Sequence, residues 1–124
     1  MEIIEPSGIA PPAANYSHAI RCGDLLFLAG EVGLEPDGSL RVGDVRAQTR
    51  RVIANIEAIL DAAGFTLGDV VQTTAYLVDL EDFQAFDEVY TELFGDHSPA
   101  RATVRADLVR PEFLVEIQAI AARG

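Results

Sequence analysis

Apolar and polar positions along this chain follow two different periods, and each change of period marks an element. Residues 18–22 and 25–29 are short, strand-like apolar runs, and Gly23-Asp24 between them is a two-residue hairpin signal. Gly30 closes the second run, where a glycine marks a bend or a close approach of backbone. From 44 to 63 the period becomes helical. Val45, Thr49, Val52, Ile53, Ile56 and Ile59 recur at three- and four-residue steps and form one stripe. Asp44 is placed to cap this helix and Gly64 to close it, while Arg46, Arg50, Arg51 and Asn55 fall mainly on other faces, the arginines at solvated positions. Residues 69–78 return to a strand. Asp79 starts a second helix with acids in its first turn, its buried face made by Phe83, Phe86, Val89, Tyr90, Leu93 and Phe94, and Gly95 stops it. Residues 9–14 read as an irregular proline- and alanine-rich arm. Residues 31–43, with the turn Pro36-Asp37-Gly38, read as a surface loop with room for a short strand at either end.

Two late strands hold the candidate chemistry. In the first, Arg101, Thr103 and Arg105 share one face, and in the second, Leu114, Glu116, Gln118 and Ile120 share one face. The second run is apolar almost throughout, as in a strand covered on both sides. A carboxylate there is costly unless a partner or a task holds it. The resulting order, β-β-α-β-α-β-β, is that of a single α+β domain over residues 1–124, with two helices on one face of a mixed sheet. The other face needs a cover, which a second subunit can supply.

Composition narrows the function. Nine Lys and Arg against 20 Asp and Glu give a formal net charge of −11, which argues against a nucleic-acid partner. No twenty-residue apolar run exists to span a membrane, and the first residues lack the pattern of a signal peptide, so a cytoplasmic protein is expected. Cys22 is the single cysteine, so no intramolecular disulfide forms. His18 and His97 show no metal-ligand spacing, and no phosphate loop, nucleophile elbow or dinucleotide fingerprint is present. No metal and no cofactor is therefore expected. An apolar share of 49% is high for a domain of this size and favours an oligomer.

Pattern alone leaves several residues open. Arg101, at a strand start, is either a two-pronged carboxylate holder, a structural cation paired with Glu116, or a surface charge. Glu116 is either a buried proton-handling group or an edge-strand residue facing solvent. Tyr16 reads first as a packing residue, Asp87 as solvated helix face, and Cys22 as packed core. His18 and His97 read as incidental. Thr103 has no histidine or lysine placed to activate it as a nucleophile.

The runs Ala-Gly-Phe-x-x-Gly-Asp-Val-Val-x-Thr-Thr (63–74), Ser98-Pro99-Ala100-Arg101-Ala102-Thr103-Val104 and Val115-Glu116-Ile117-Gln118-Ala119-Ile120-Ala121 resemble the Rid (YjgF) family of reactive intermediate deaminases over essentially the whole chain. The resemblance implies a chorismate-mutase-like fold and a homotrimer with clefts between subunits. It also implies hydrolysis of small 2-enamine and 2-imine acids, such as 2-aminoacrylate, to 2-keto acids and ammonia. By position, Arg101 matches the arginine that holds the substrate carboxylate, and Glu116 the glutamate that positions water. Tyr16 and Gly30 match residues beside the substrate. Asp87 stands where a common form has asparagine, Thr103 where many members have cysteine, and Ala29 where many have serine. These departures bear on substrate range. A deaminase dedicated to one pathway, a non-catalytic trimer binding small carboxylates, and a ribonuclease are the alternatives, the last disfavoured by the charge.

Overall fold

Gly23-Asp24 turns the chain between two antiparallel strands, and the rest of the sheet grows outward from this hairpin. The structure is a computed structural model that describes residues 1–124. In chain order its elements are β1 (Glu2–Ile4), β2 (Ala19–Cys22), β3 (Leu25–Leu28), β4 (Glu31–Val32), α1 (Val45–Ala62), β5 (Val70–Leu77), α2 (Phe83–Phe94), β6 (Ala100–Arg105) and β7 (Val115–Ala122). The strands form one sheet in the order β1-β2-β3-β7-β5-β6, with β4 also paired to β7. All pairs are antiparallel except β5 with β6. The expected mixed sheet with two helices is therefore present. β1 was not anticipated, because three residues are too few to display a period. β4 is the short strand for which the loop after Gly30 had room.

Helix ends follow the expected chemistry. The Asp44 carboxylate accepts the Ala47 N–H at 2.9 Å and starts α1. Asp79 accepts the Glu81 N–H and starts a single 3-10 turn, Leu80–Asp82, so the α-helix proper begins later than expected, at Phe83. Gly95, at φ 65°, ends α2 in a conformation that disfavours side chains with a Cβ.

Both helices lie over one face. Ile53 and Leu60 of α1, Phe86 of α2, and Leu26, Leu77 and Ile117 of the sheet are all 0% exposed. Ile53→Ala is expected to destabilise the fold by about 2–5 kcal/mol, read as a lowered denaturant midpoint at unchanged slope. Asn55 departs from expectation. It is buried, because its amide group donates to the carbonyls of Val32 and Leu34 at 3.2 and 3.0 Å and so ties the chain after β4 to α1. Gln48 does similar work, donating to the carbonyls of Arg41 and Glu112 and accepting the Leu114 N–H. Arg46 and Arg50 are exposed as expected, and each reaches across to α2, pairing with Glu88 at 2.7 Å and Glu92 at 2.5 Å.

The second face has no helix over it. Register places Ile3 opposite Ile20, Ile20 opposite Phe27, and Phe27 opposite Ile120, so an apolar row crosses the strands there. Phe27 is 43% exposed. Cys22 was expected in the core but is exposed, because the hairpin turn follows it directly. No helix is long and apolar enough to cross a membrane.

Candidate functional site

Register sorts the late-strand residues onto two faces. Tyr76 of β5 lies opposite Val104 on one side and Glu116 on the other, while Thr73 lies opposite Arg101 and Ala119. Paired residues share a face. Glu116 therefore stands on the open face with Tyr76, and Arg101 and Thr103 stand on the helix-covered face. Within one chain the two residues point away from each other. The Arg101–Glu116 ion pair left open by the sequence pattern does not form.

Arg101 pairs instead with Asp87 of α2, Nη1 to Oδ1 at 2.8 Å. Its guanidinium carbon sits 4.6 Å from the centroid of the Tyr90 ring and 5.4 Å from that of Phe86. Tyr90 is itself fixed by a 2.8 Å hydrogen bond between its hydroxyl and that of Thr73. Burial raises the Tyr90 pKa, and the Thr73 hydrogen bond and the Arg101 charge oppose that shift. With Phe83 at 5.7 Å, three aromatic rings and one carboxylate thus hold the guanidinium at the edge of a cavity of about 340 Å³, whose polar lining includes Asp87, Thr91, His97, Ser98 and Arg101. His97 is not incidental, since its Nε2 is 2.6 Å from the Val70 carbonyl, which ties the chain before β6 to β5. Thr103 is half-buried on the Arg101 face, outside that lining. Asp87, expected as solvated helix face, is an ion-pair partner.

Glu116 organises the second group. It is half-buried, and burial raises its pKa with no donor or cation to oppose the shift. Gly30 is the reason it fits. A Cβ on Gly30 would lie 2.2 Å from Glu116 Oε2, so the close approach anticipated at this glycine is an approach to the candidate carboxylate. Gly30→Ala is expected to displace that carboxylate while the fold persists, because only the far end of a flexible side chain must move. Lost turnover at a melting temperature near that of the parent would bear this out.

Tyr16 is 46% exposed and is not a packed residue. It lies edge-on to His18, ring centroids 6.2 Å apart, and lines a narrow crevice with His18, Gly30 and Glu31. Burial raises its pKa most, and the charges of Glu31 and Glu116 add to this. His18 was read as incidental, yet it is buried, its Nε2 2.9 Å from the Ala10 carbonyl and its Nδ1 3.0 Å from Glu31 Oε2. A carbonyl only accepts, so Nε2 carries a proton and the Nδ1–Oε2 contact shares a second. The pair fastens the arm bearing Tyr16 to the strand after Gly30. Burial raises the pKa of Glu31, and His18 opposes this. His18 precedes β2 and Glu31 opens β4, and only the fold joins them.

The chain thus carries two separate groups of candidate residues, Arg101 with Asp87 and Glu116 with Gly30 and Tyr16. Known proteins contain the same frame. Residues 8–123 match the model of the endoribonuclease L-PSP family. A RutC family protein of Pyrococcus horikoshii is 44% identical over 121 residues, covering 97% of this chain and 96% of its own. The 3-aminoacrylate deaminase RutC of Acinetobacter baylyi is 39% identical over 121 residues, covering 97% of this chain and 96% of its own. The crystal structure of Escherichia coli TdcF with bound serine superposes with a TM-score of 0.94 at 31% identity, over 100% of both chains. On the strength of the matched model, the relatives and the shared fold, this chain belongs to the endoribonuclease L-PSP family, the Rid (YjgF) proteins.

Proposed function

We propose that this protein is a hydrolytic deaminase that converts 2-enamine and 2-imine acids, such as 2-aminoacrylate, 2-iminopropanoate and 2-iminobutanoate, to 2-keto acids and ammonia. We propose further that it works as a homotrimer whose clefts join the Arg101 group of one subunit to the Glu116 group of the next. The observation that carries this reading is Glu116, a half-buried carboxylate without an opposing cation in its own chain, set against a glycine that leaves it room. The apolar row Ile3, Ile20, Phe27 and Ile120 on the open face supports assembly. The deaminase and serine-bound relatives support small amino-acid-derived ligands. The net charge of −11 gives the ribonuclease in the family's description no support.

The chemistry asks little of the protein. Arg101 holds the substrate carboxylate by two parallel hydrogen bonds. Glu116 takes one proton from a water as the water oxygen bonds to the carbon of the protonated imine, and the C=N electron pair moves to nitrogen, which neutralises its charge. The resulting carbinolamine receives that proton on nitrogen. The C–N bond then breaks with its electron pair going to nitrogen, the hydroxyl oxygen closes the carbonyl as its proton passes to the Glu116 carboxylate, and ammonia departs. Tyr16, Gly30 and Asp87 border the substrate, Thr103 stands on the Arg101 face beyond the cavity lining, and the proton transfers use side chains alone. An amino-acid oxidase generating imines in situ tests the reading. Imine loss is expected to accelerate when this protein is added, and an unchanged rate across alanine-, serine- and leucine-derived imines would leave the fold as a binding module.

A further inference from the structure

The ion pair at Arg101 changes what this cavity can accept. A lone guanidinium would favour any carboxylate, and a second negative charge on the ligand would help. Here Asp87 lies 2.8 Å from Nη1 of that guanidinium and lines the same cavity. The neighbouring acids of α2 are engaged elsewhere, Glu88 with Arg46 and Glu92 with Arg50, so their charge is directed toward α1. The other ionisable lining groups are engaged too, His97 by Nε2 with the Val70 carbonyl and Tyr90 by its hydroxyl with that of Thr73. The cavity therefore presents one cation and one anion side by side. Arg101 has five N–H donors in a planar fork, and one contact with Asp87 leaves others for a ligand.

We propose that Asp87 and Arg101 together select zwitterions, so that the form of substrate this protein takes is the protonated 2-iminium carboxylate, to which 2-aminoacrylate is converted by protonation at its methylene carbon, and net-anionic ligands are disfavoured. The proposal rests on the deaminase reading for its substrate and on the ion pair for its selectivity. A 2-iminium acid carries its positive nitrogen one carbon from its carboxylate, which is the spacing of charges an adjacent Arg and Asp can meet. Protonated nitrogen also makes the imine carbon the better electrophile, so the same contact favours the reactive form. A 3-aminoacrylate differs. Its nitrogen lone pair is conjugated through the double bond into the carboxylate, the nitrogen stays unprotonated at neutral pH, and the molecule is an anion. Its carboxylate must share Arg101 with Asp87 and faces that like charge without compensation. Specificity of this kind comes as much from the repelled ligand as from the favoured one.

The test uses two stable probes of equal size: L-alanine, the saturated zwitterionic counterpart of 2-iminopropanoate, and pyruvate, the anion. Both are titrated calorimetrically into the parent and the Asp87→Asn protein. The ratio of the pyruvate Kd to the alanine Kd is expected to fall about tenfold in Asp87→Asn, the ratio that corresponds to about 1.4 kcal/mol. An unchanged or increased ratio would overturn the proposal and leave Asp87 as a structural partner of Arg101. Should Asp87→Asn not fold, Asp87→Ser removes the same charge and is read the same way. Turnover forms a separate arm, in which kcat/KM for 2-iminopropanoate relative to 3-aminoacrylate is expected to fall in the variant. If neither substrate is turned over by the parent while the binding ratio shifts, the deaminase reading fails and the charge selection stands.

Discussion

Glu116→Gln is expected to lower kcat by about 10² to 10⁴, with no loss of melting temperature at pH 7. Both halves of this expectation come from the same burial. Burial alone raises the pKa of Glu116, so the fold holds the ionised form at a cost. Below the ordinary glutamate range, about 4.3, the group is protonated both folded and unfolded and exerts no such effect. As pH rises through that range and then through the raised value, the unfolded chain ionises more readily and stability is lost. Glutamine has the same shape and never ionises, so the variant melts no lower than the parent at neutral pH. Any gain closes as pH falls below about 4. Activity runs the other way. Only the carboxylate can take a proton from water, so the parent's kcat should fall on the acid side at a pH above the ordinary glutamate value. Glutamine should lack that limb altogether. Thermal unfolding and a pH–rate profile on the same samples check the pair. A variant that melts early and loses rate in proportion would make Glu116 a structural residue.

What could be read in the sequence, and what could not, divides along the same line as these energies. Periodic elements were legible, because burial of one face imposes a period: the stripe through Val52, Ile53 and Ile56 and the caps at Asp44 and Gly95 are local physics. Glu116 was legible as a carboxylate in an apolar run, and Gly30 as a close approach, though what approached it was not. The pairings were not legible. Asp87 and Arg101 lie on a helix and a strand, and only the packing of α2 beside β6 joins them. His18 and Glu31 meet across 13 residues through the return of the hairpin. Asn55 was placed off the apolar stripe because a helical stripe encodes apolarity, and an asparagine buried to satisfy loop carbonyls carries no such signal. The opposed orientation of Arg101 and Glu116 follows from register, which adds one fact no single strand contains: which residues of β6 and β7 stand opposite the same residue of β5.

That opposition yields the sharpest expected result. Arg101→Ala should reduce kcat/KM by about 10² to 10³, the loss expected for one partner of a desolvated charge pair. Arg101→Lys should fall between, since an ammonium keeps the charge and loses the two-pronged geometry. Neither change should unfold the protein, because Asp87, the partner left behind, is 39% exposed and can be hydrated. The decisive experiment combines two dead proteins. If each cleft takes Arg101 from one subunit and Glu116 from another, then Arg101→Ala and Glu116→Gln chains, unfolded together and reassembled, form some clefts with both functional groups intact. Random assortment of equal amounts makes about a quarter of the clefts complete, and activity should return to about that fraction of the parent. Clefts built within one chain would give no recovery, since every chain in the mixture lacks one of the two groups. The same mixture therefore tests the assembly and the division of labour at once: recovery requires that the two groups, which face away from each other in one chain, meet in the oligomer.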